Sequence, residues 1–381
     1  LWLILPEKDL YPAVDPGSNF YYSVAMNKTK TGIVKDDLFI SHDPGPYHPE
    51  KPERLKEIYA VLERTGLEKK LTKVPARPAS EAEICRVHDK RHYDKVARTE
   101  GISMALDADT RVSEDSFRAA LNAAGGLLEL TRGVTEGELT NGFALVRPPG
   151  HHAERGAAMG FCLFNNAAVA AEYALAELGC QRVAVVDWDL HHGNGTMHSF
   201  YERRDLLYLS THQYPFYPGS GAIDEIGTGE GRGYTVNVPL SSGMGDEEYA
   251  SVFRELFQPV LLQYEPDLII VSAGLDPLSS DPLGSMEMTP RGFADLTSIL
   301  MNIAEETCRG RLVLTLEGGY DVKGEAEAVE ECLRTLLGED VQRGDGSSEA
   351  YVAGVSSAAG RVSDIIEKIK EAQADLWHFE G

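Results

Sequence analysis

The sequence predicts an α/β fold built on a parallel sheet, and three observations carry that prediction. Five short apolar runs, at 143–146, 183–186, 206–209, 268–271 and 312–316, show no alternation of polar and apolar positions. Strands buried on both faces read this way, as those of a parallel sheet do. Segments of helical periodicity or helix-forming composition separate the runs, the alternation expected of crossover-connected strands. No internal repeat or long low-complexity linker interrupts the 381 residues, a length that one large α/β domain can fill as well as two or three smaller ones.

In chain order, residues 1–37 scatter Pro, Gly, Asn and Lys among aromatics. They read as an N-terminal arm packed on the body or on another subunit, and so as a route to a homo-oligomer. Residues 38–381 read as a single domain, opening with Leu38-Phe39-Ile40 as a strand. Residues 53–64 read as a helix, because Leu55, Ile58, Tyr59 and Leu62 recur at i, i+3, i+4 and i+7. The stretches 114–131 and 165–178 are Ala- and Leu-rich helices. Two more, at 246–264 and 290–308, each follow a start signal, Gly245-Asp246 and Thr289-Pro290. Residues 338–350 read as a loop, and a last helix carries Val362, Ile365, Ile366 and Ile369 on one face.

Acidic residues number 60 and basic residues 36, a net charge of −24. That excludes duplex nucleic acid as a direct partner, which needs a basic footprint, and suits a cationic ligand. No apolar run approaches the roughly 18 residues of a membrane helix, and Leu1–Leu5 is too short for a secretion-signal core. Five cysteines without a C-x-x-C spacing argue for a reducing, cytoplasmic setting.

Four strands run into sequences rich in chemistry. Val146 leads to Arg147-Pro-Pro-Gly-His151-His152, and Val186 to Asp187-Trp-Asp189-Leu-His191-His192-Gly-Asn194-Gly. Val271 leads to Ser272-Ala-Gly-Leu-Asp276, and Leu316 to Glu317-Gly-Gly-Tyr320. Sites in parallel sheets lie beyond the carboxyl ends of the strands, so all four can converge. Asp189, His191 and Asp276 offer two carboxylates and an imidazole, which leaves a fourth position open on a catalytic metal. Zinc and ferrous iron both suit such ligands. The bland alternative makes Asp187 and Asp189 loop caps and His191 a core histidine. It must also explain away His151-His152 and a third strand-end Asp. Two imidazoles could divide base and acid work in metal-assisted hydrolysis, with Asp187 and Asn194 as their orienters. The Tyr320 hydroxyl could polarise a carbonyl, though alone it reads as a packed aromatic. The glycine-rich 227–233 precedes a strand-like Tyr234-Thr-Val-Asn-Val238 and opens no helix, so it is no dinucleotide loop. No Walker lysine or G-x-S-x-G elbow is present. Asn27-Lys28-Thr29 is a bare glycosylation triplet, and His42 and His48 read as turn residues.

RPPGHH, DWDLHHGNG, SAGLDPLSSDPLG and LEGGY, in this order, resemble the histone deacetylase superfamily, as does His42-Asp-x-x-Pro-x-x-His48-Pro-Glu-Lys-Pro-Glu-Arg54. The resemblance runs from about residue 38 to residue 337. Asn194 and Glu317 make it similar to the class II branch, the group of bacterial homologues and acetylpolyamine amidohydrolases. It implies an arginase-like α/β fold with a central parallel sheet of eight strands flanked by helices. It implies zinc on Asp189, His191 and Asp276, and His151 and His152 as an acid–base pair backed by Asp187 and Asn194. Tyr320 would bind the acyl oxygen. Gly160, Phe161 and Tyr217 would line the slot for the lysine stem, and Arg54 would stand near an acetate-release channel. Potassium or sodium would sit at Asp187, Asp189, His191, Ser210 and Thr211, and again around Phe200, Arg203, Leu206 and Tyr234. The rim residue that holds the substrate backbone should lie in 101–109, where none is assigned.

The resemblance implies a zinc-dependent deacetylase acting on acetylated lysine in a peptide or protein. Leu283 stands where polyamine-selective relatives can carry an acid, which favours lysine; an acetylated polyamine is the alternative substrate. A third reading is an inactive acyl-lysine-binding protein. Binuclear manganese chemistry is disfavoured, because Asp187, Leu190 and Leu275 do not supply its bridging carboxylates.

Overall fold

The computed structural model describes residues 30–339 and 348–379. Its strands are β1 (Thr31–Val34), β2 (Thr72–Val74), β3 (Met104–Ala105), β4 (Arg111–Val112), β5 (Asn141–Ala144), β6 (Val183–Asp187), β7 (Leu206–Gln213), β8 (Thr235–Leu240), β9 (Leu268–Ala273) and β10 (Leu312–Leu316). Eight of them form one all-parallel sheet in the order β2-β1-β5-β10-β9-β6-β7-β8, while β3 and β4 make a small antiparallel hairpin. The eight strands that the family resemblance implies are therefore present.

The helices are α1 (Glu53–Arg64), α2 (Glu81–Ile84), α3 (Lys90–Ala97), α4 (Ser116–Thr135), α5 (Asn166–Glu177), α6 (Asn194–Phe200), α7 (Asp246–Val252), α8 (Gln258–Tyr264), α9 (Pro290–Cys308), α10 (Val322–Leu336) and α11 (Ser348–Gln373). One layer runs α1, α10, α9 and α7, each packed on the next, and α4 pairs with α5 in another. Every residue of β6, β9 and β10 is buried, as strands covered on both faces must be. Local chemistry sets the helix ends. The Thr289 side chain accepts the Gly292 N–H ahead of Pro290, and Arg309 ends α9 at φ +60. The Asn165 side chain likewise accepts the Ala168 N–H at the start of α5. None of the described helices is long and apolar enough to cross a membrane.

Several expectations are corrected. Leu38–Ile40 is no strand: Asp37–Ser41 is a 3-10 helix, capped where the Asp36 side chain accepts the Leu38 N–H. The arm does not reach residue 37, because Thr31–Val34 is a strand paired on both sides in the sheet. Residues 1–29, with the glycosylation triplet and the expected oligomer contact, lie outside the described residues. So does most of the 338–350 loop, and α11 already begins at Ser348. The single helix expected at 246–264 is interrupted by a π turn at Phe253–Phe257. Pro259 follows in the first turn of α8, and a one-residue slip in the hydrogen-bond ladder accommodates its missing N–H.

Candidate active site

The strands β5, β10, β9 and β6 are consecutive neighbours in the sheet. Their carboxyl ends therefore bring together four motifs that are far apart in sequence. Asp189, His191 and Asp276 converge there, all buried, with one ligand atom of each within 4.8 Å of the others. His191 Nδ1 lies 3.2 Å from Asp189 Oδ1 and 3.0 Å from Asp276 Oδ2. The remaining oxygens are fixed by backbone: Asp189 Oδ2 accepts the Gly318 N–H at 2.9 Å, and Asp276 Oδ1 the Leu190 N–H at 2.9 Å. Gly318 must lack a side chain, since a Cβ would stand 2.3 Å from Asp276 Oδ2.

Burial disfavours a charge on His191, yet its bonds to Asp189 and Asp276 outweigh burial and push its pKa up to about 10. Burial and the Asp189 charge push the Asp276 carboxyl up. Two buried carboxylates thus retain a proton on the imidazole between them, and a bound cation would relieve the same excess of negative charge. One nitrogen and two oxygens fit zinc or ferrous iron.

The two adjacent histidines are held differently. His151 Nδ1–H donates to Asp187 Oδ2 at 3.0 Å, which also accepts the Tyr208 hydroxyl at 3.0 Å. His152 Nδ1–H donates to Asn194 Oδ1 at 2.7 Å. The Asn194 amide is oriented in turn, because its Nδ2–H donates to Glu154 Oε1 at 2.5 Å. The rings lie 4.0 Å apart. Burial works against charge on both. At His151 the carboxylates of Asp189 and Asp187 win and raise the pKa well above the usual range. At His152 burial is reinforced by repulsion from His151 and His191, and the pKa falls well below it. The pair is therefore split into a proton holder and a free base, the pattern that acid–base chemistry uses.

Tyr320 stands beyond β10 with its phenol pKa pushed well up, first by burial and then by the Asp276 charge. The family model of the histone deacetylase domain matches residues 48–336. The chain belongs to the histone deacetylase family of hydrolases. It is 38% identical over 378 residues to histone deacetylase 9 of Homo sapiens, covering 89% of this chain and 36% of that protein. It is 40% identical over 296 residues to a probable deacetylase of Archaeoglobus fulgidus, covering 77% and 82%. It is 41% identical over 363 residues to histone deacetylase 15 of Arabidopsis thaliana, covering 93% and 63%. The chain thus spans about a third of the human relative and under two thirds of the plant one. The crystal structure of the HDA15 HD domain superposes with a TM-score of 0.79 at 37% identity, covering 92% of this chain and 98% of that one.

Further residues surround the centre of this deacetylase-family domain. Gly160 lies against the His152 ring, at φ +55, and a Cβ there would come within 2.4 Å of it. The Phe161 ring meets that of Tyr320 edge-on at 5.8 Å, and Tyr217 meets His152 edge-on at 5.0 Å. Leu283 is half-buried, its N–H donating to Asp281 Oδ1 at 2.9 Å. Arg54 is fully buried, 5.2 Å from the centre of the Tyr320 ring. It donates to Glu325 at 2.6 Å, Glu50 at 3.2 Å and the Glu317 carbonyl at 2.6 Å. Of the first cation set, Ser210 is the register neighbour of Asp187, and the buried Thr211 hydroxyl has no hydrogen-bond partner. Phe200, Arg203, Leu206 and Tyr234 gather instead about the starts of β7 and β8, at the opposite edge of the sheet.

Sequence reasoning missed several neighbours. Phe216 has its ring 5.6 Å from His191; its position beside Tyr217 was the available signal. Glu50 holds both Arg54 and Arg147. Glu317 accepts the Gly150 N–H at 2.6 Å and fixes the turn before His151. His48 closes the turn from Gly45, its N–H donating to the Gly45 carbonyl at 3.1 Å, whereas the ring partners of His42 lie outside that turn. His42 bonds Ser116 Oγ at 2.7 Å and lies 3.2 Å from Glu50, while the His48 ring meets Phe161 edge-on at 4.6 Å.

Proposed function

We propose that this chain is a zinc-dependent amidohydrolase that removes acetyl groups from lysine side chains. The observation that carries the reading is the adjacent pair His151 and His152, bonded to Asp187 and Asn194 respectively, beside three convergent metal-ligand atoms. Asp189, His191 and Asp276 are the residues that would hold the ion. Zinc bound there supplies Lewis-acid polarisation of the amide carbonyl and an acidified water.

The chain's own groups do the rest. His152 keeps Nε2 free because Nδ1–H is committed to Asn194, so it takes the proton of the attacking water at Nε2. His151, oriented by Asp187, carries the proton given to the departing lysine amine. Tyr320, kept protonated by burial, donates its hydroxyl to the acyl oxygen as negative charge builds there. Gly160, Phe161 and Tyr217 hold the alkyl stem and exclude water. Arg54 belongs to the floor beneath Tyr320, near the exit of acetate. A potassium or sodium ion beside Asp187, Asp189, His191, Ser210 and Thr211 is part of the same reading, supported by the unpartnered Thr211 hydroxyl. The second cation set, at Phe200, Arg203, Leu206 and Tyr234, rests on the family resemblance alone. The absence of any disulfide among the five cysteines supports a reducing compartment.

An acetylated polyamine is the second reading. Asp107 and Asp109 lie near enough to the Tyr217 phenol to act on it electrostatically, and such acids attract a second ammonium. Leu283 favours lysine instead. Acetate release from an acetyl-lysine peptide, abolished by a chelator and restored by zinc, is the test. Turnover that survives chelation would sink the metal role, and near-full activity of Tyr320→Phe would sink that of Tyr320.

A further inference from the structure

The described residues hold five exposed large hydrophobic side chains, Tyr47, Ile102, Met104, Phe216 and Tyr217. All five belong to segments that touch residues of the candidate site. Phe216 and Tyr217 place their rings against His191 and His152. Tyr47, 99% exposed, precedes His48, whose ring packs on Phe161 and whose nitrogens lie against the carbonyls of Glu50 and Asp109. Ile102 and Met104 lead into the β3–β4 hairpin, where the Thr110 hydroxyl accepts the Phe161 N–H at 3.2 Å. Single exposed apolar residues are ordinary on any surface, but a set confined to one opening marks a contact area.

We infer that this apolar collar binds the polypeptide on both sides of an acyl-lysine, and that the substrate is a protein segment with apolar side chains flanking that lysine. The inference rests on the acyl-lysine reading given above. The occupant follows from continuity: the collar surrounds the opening through which the lysine stem would enter, so the residues beside that lysine meet it first. The hairpin is a fixed shelf. Asp107 Oδ1 accepts the N–H groups of Asp109 at 3.1 Å and Thr110 at 2.6 Å, and the Leu106 N–H bonds the Thr110 carbonyl at 2.8 Å. A preformed shelf loses little freedom when a peptide docks. A polyamine would find Asp107 and Asp109 for an ammonium but would gain nothing from the apolar side chains of Tyr47, Ile102 and Met104.

The test uses the full chain loaded with zinc and three probes. They are an acetyl-lysine peptide with leucine on both sides, the same peptide with glycine, and acetylspermidine. The leucine peptide should exceed the glycine peptide about tenfold in kcat/KM, with acetylspermidine slowest. Tyr47→Ser and Met104→Ser should each lower that ratio to about threefold or less and leave turnover of the glycine peptide unchanged. The labelled peptides, bound to Tyr320→Phe protein and read by fluorescence anisotropy, should show the same preference. Equal turnover and equal binding of the two peptides, or faster turnover of acetylspermidine, overturns the collar. A binding preference without turnover of any probe supports the collar and sinks the proposed activity.

Discussion

Asp281 Oδ2 accepts the backbone N–H of Tyr320 at 2.6 Å and that of Asp321 at 3.3 Å, while Oδ1 accepts the Leu283 N–H at 2.9 Å. One buried carboxylate therefore ties the loop after β9 to the loop after β10. Asp281 thereby fixes the backbone that carries the Tyr320 side chain. Asp281→Asn turns one acceptor into a donor facing an N–H. We expect kcat to fall about tenfold with KM nearly unchanged, as when a group that orients a ligand is removed. Tyr320→Phe should cost about a hundredfold in kcat. Equal losses in kcat and in folded-state stability, with KM raised, would reduce Asp281 to a structural tie.

Metal removal should destabilise the fold as well as stop turnover. A ligand present at about a thousand times its Kd stabilises by about 4 kcal/mol. For a domain of this size that corresponds to about 5 °C in Tm. Thermal unfolding with and without a chelator measures it. Asp276→Ala should abolish the zinc-dependent part of that shift, and an unchanged shift would remove Asp276 from the ligand set.

His212 and His88 predict a distinct acid response. Burial pushes the His212 pKa down to about 4 and that of His88 to about 3. The folded form keeps both neutral: His212 Nε2–H donates to the Gly221 carbonyl at 2.9 Å, and His88 Nδ1–H to the Glu154 carbonyl at 2.9 Å. Below the ordinary histidine pKa of 6.5 the unfolded chain binds protons that the native state refuses. Their contribution is complete above that pH and is lost as pH falls toward the native pKa, by about 1.4 kcal/mol per pH unit for each ring. Glu317 and Glu325, pushed up to about 7 first by burial, act in the opposite sense, so the comparison must be differential. His212→Gln should lose less stability than the parent between pH 6.5 and pH 5 in urea titrations, and parallel slopes would refute this.

Arg54 should tolerate no replacement. It is the counter-charge for Glu50 and Glu325, all three buried. Arg54→Ala leaves two buried carboxylates short of a partner, a loss of about 3–5 kcal/mol. Arg54→Lys should lose nearly as much, because one ammonium cannot replace a fork that also reaches the Glu317 carbonyl. Urea midpoints decide this, and a lysine variant as stable as the parent would contradict it.

Much of the site was legible because its chemistry is written in short strings at the ends of apolar runs. The bounds of α1, α9 and β10 follow from periodicity, caps and apolar run length. The misses have a common cause, which is partners distant in sequence. Nothing near Glu154 announces that it orients Asn194, and nothing in Asp281-Pro-Leu283 points to Tyr320. Thr31–Val34 was hidden because four residues, one of them glycine, carry too little pattern to read as a strand. Leu38–Ile40 misled in the opposite way, as an apolar triplet whose conformation is decided by the Asp36 cap.

The position of β10 between β5 and β9 governs when this site can exist during synthesis. All three candidate ligand residues and both site histidines have left the ribosome once residue 276 emerges, yet the strand that joins their two half-sheets ends at Leu316. Until it inserts, β5 has no neighbour toward β9, and the Asp189 carboxylate lacks its bond from Gly318. Nascent chains stalled short of residue 316 should therefore expose two unpaired strand edges and depend on chaperones. The order of strands makes completion of the candidate metal centre a late event in the life of the chain.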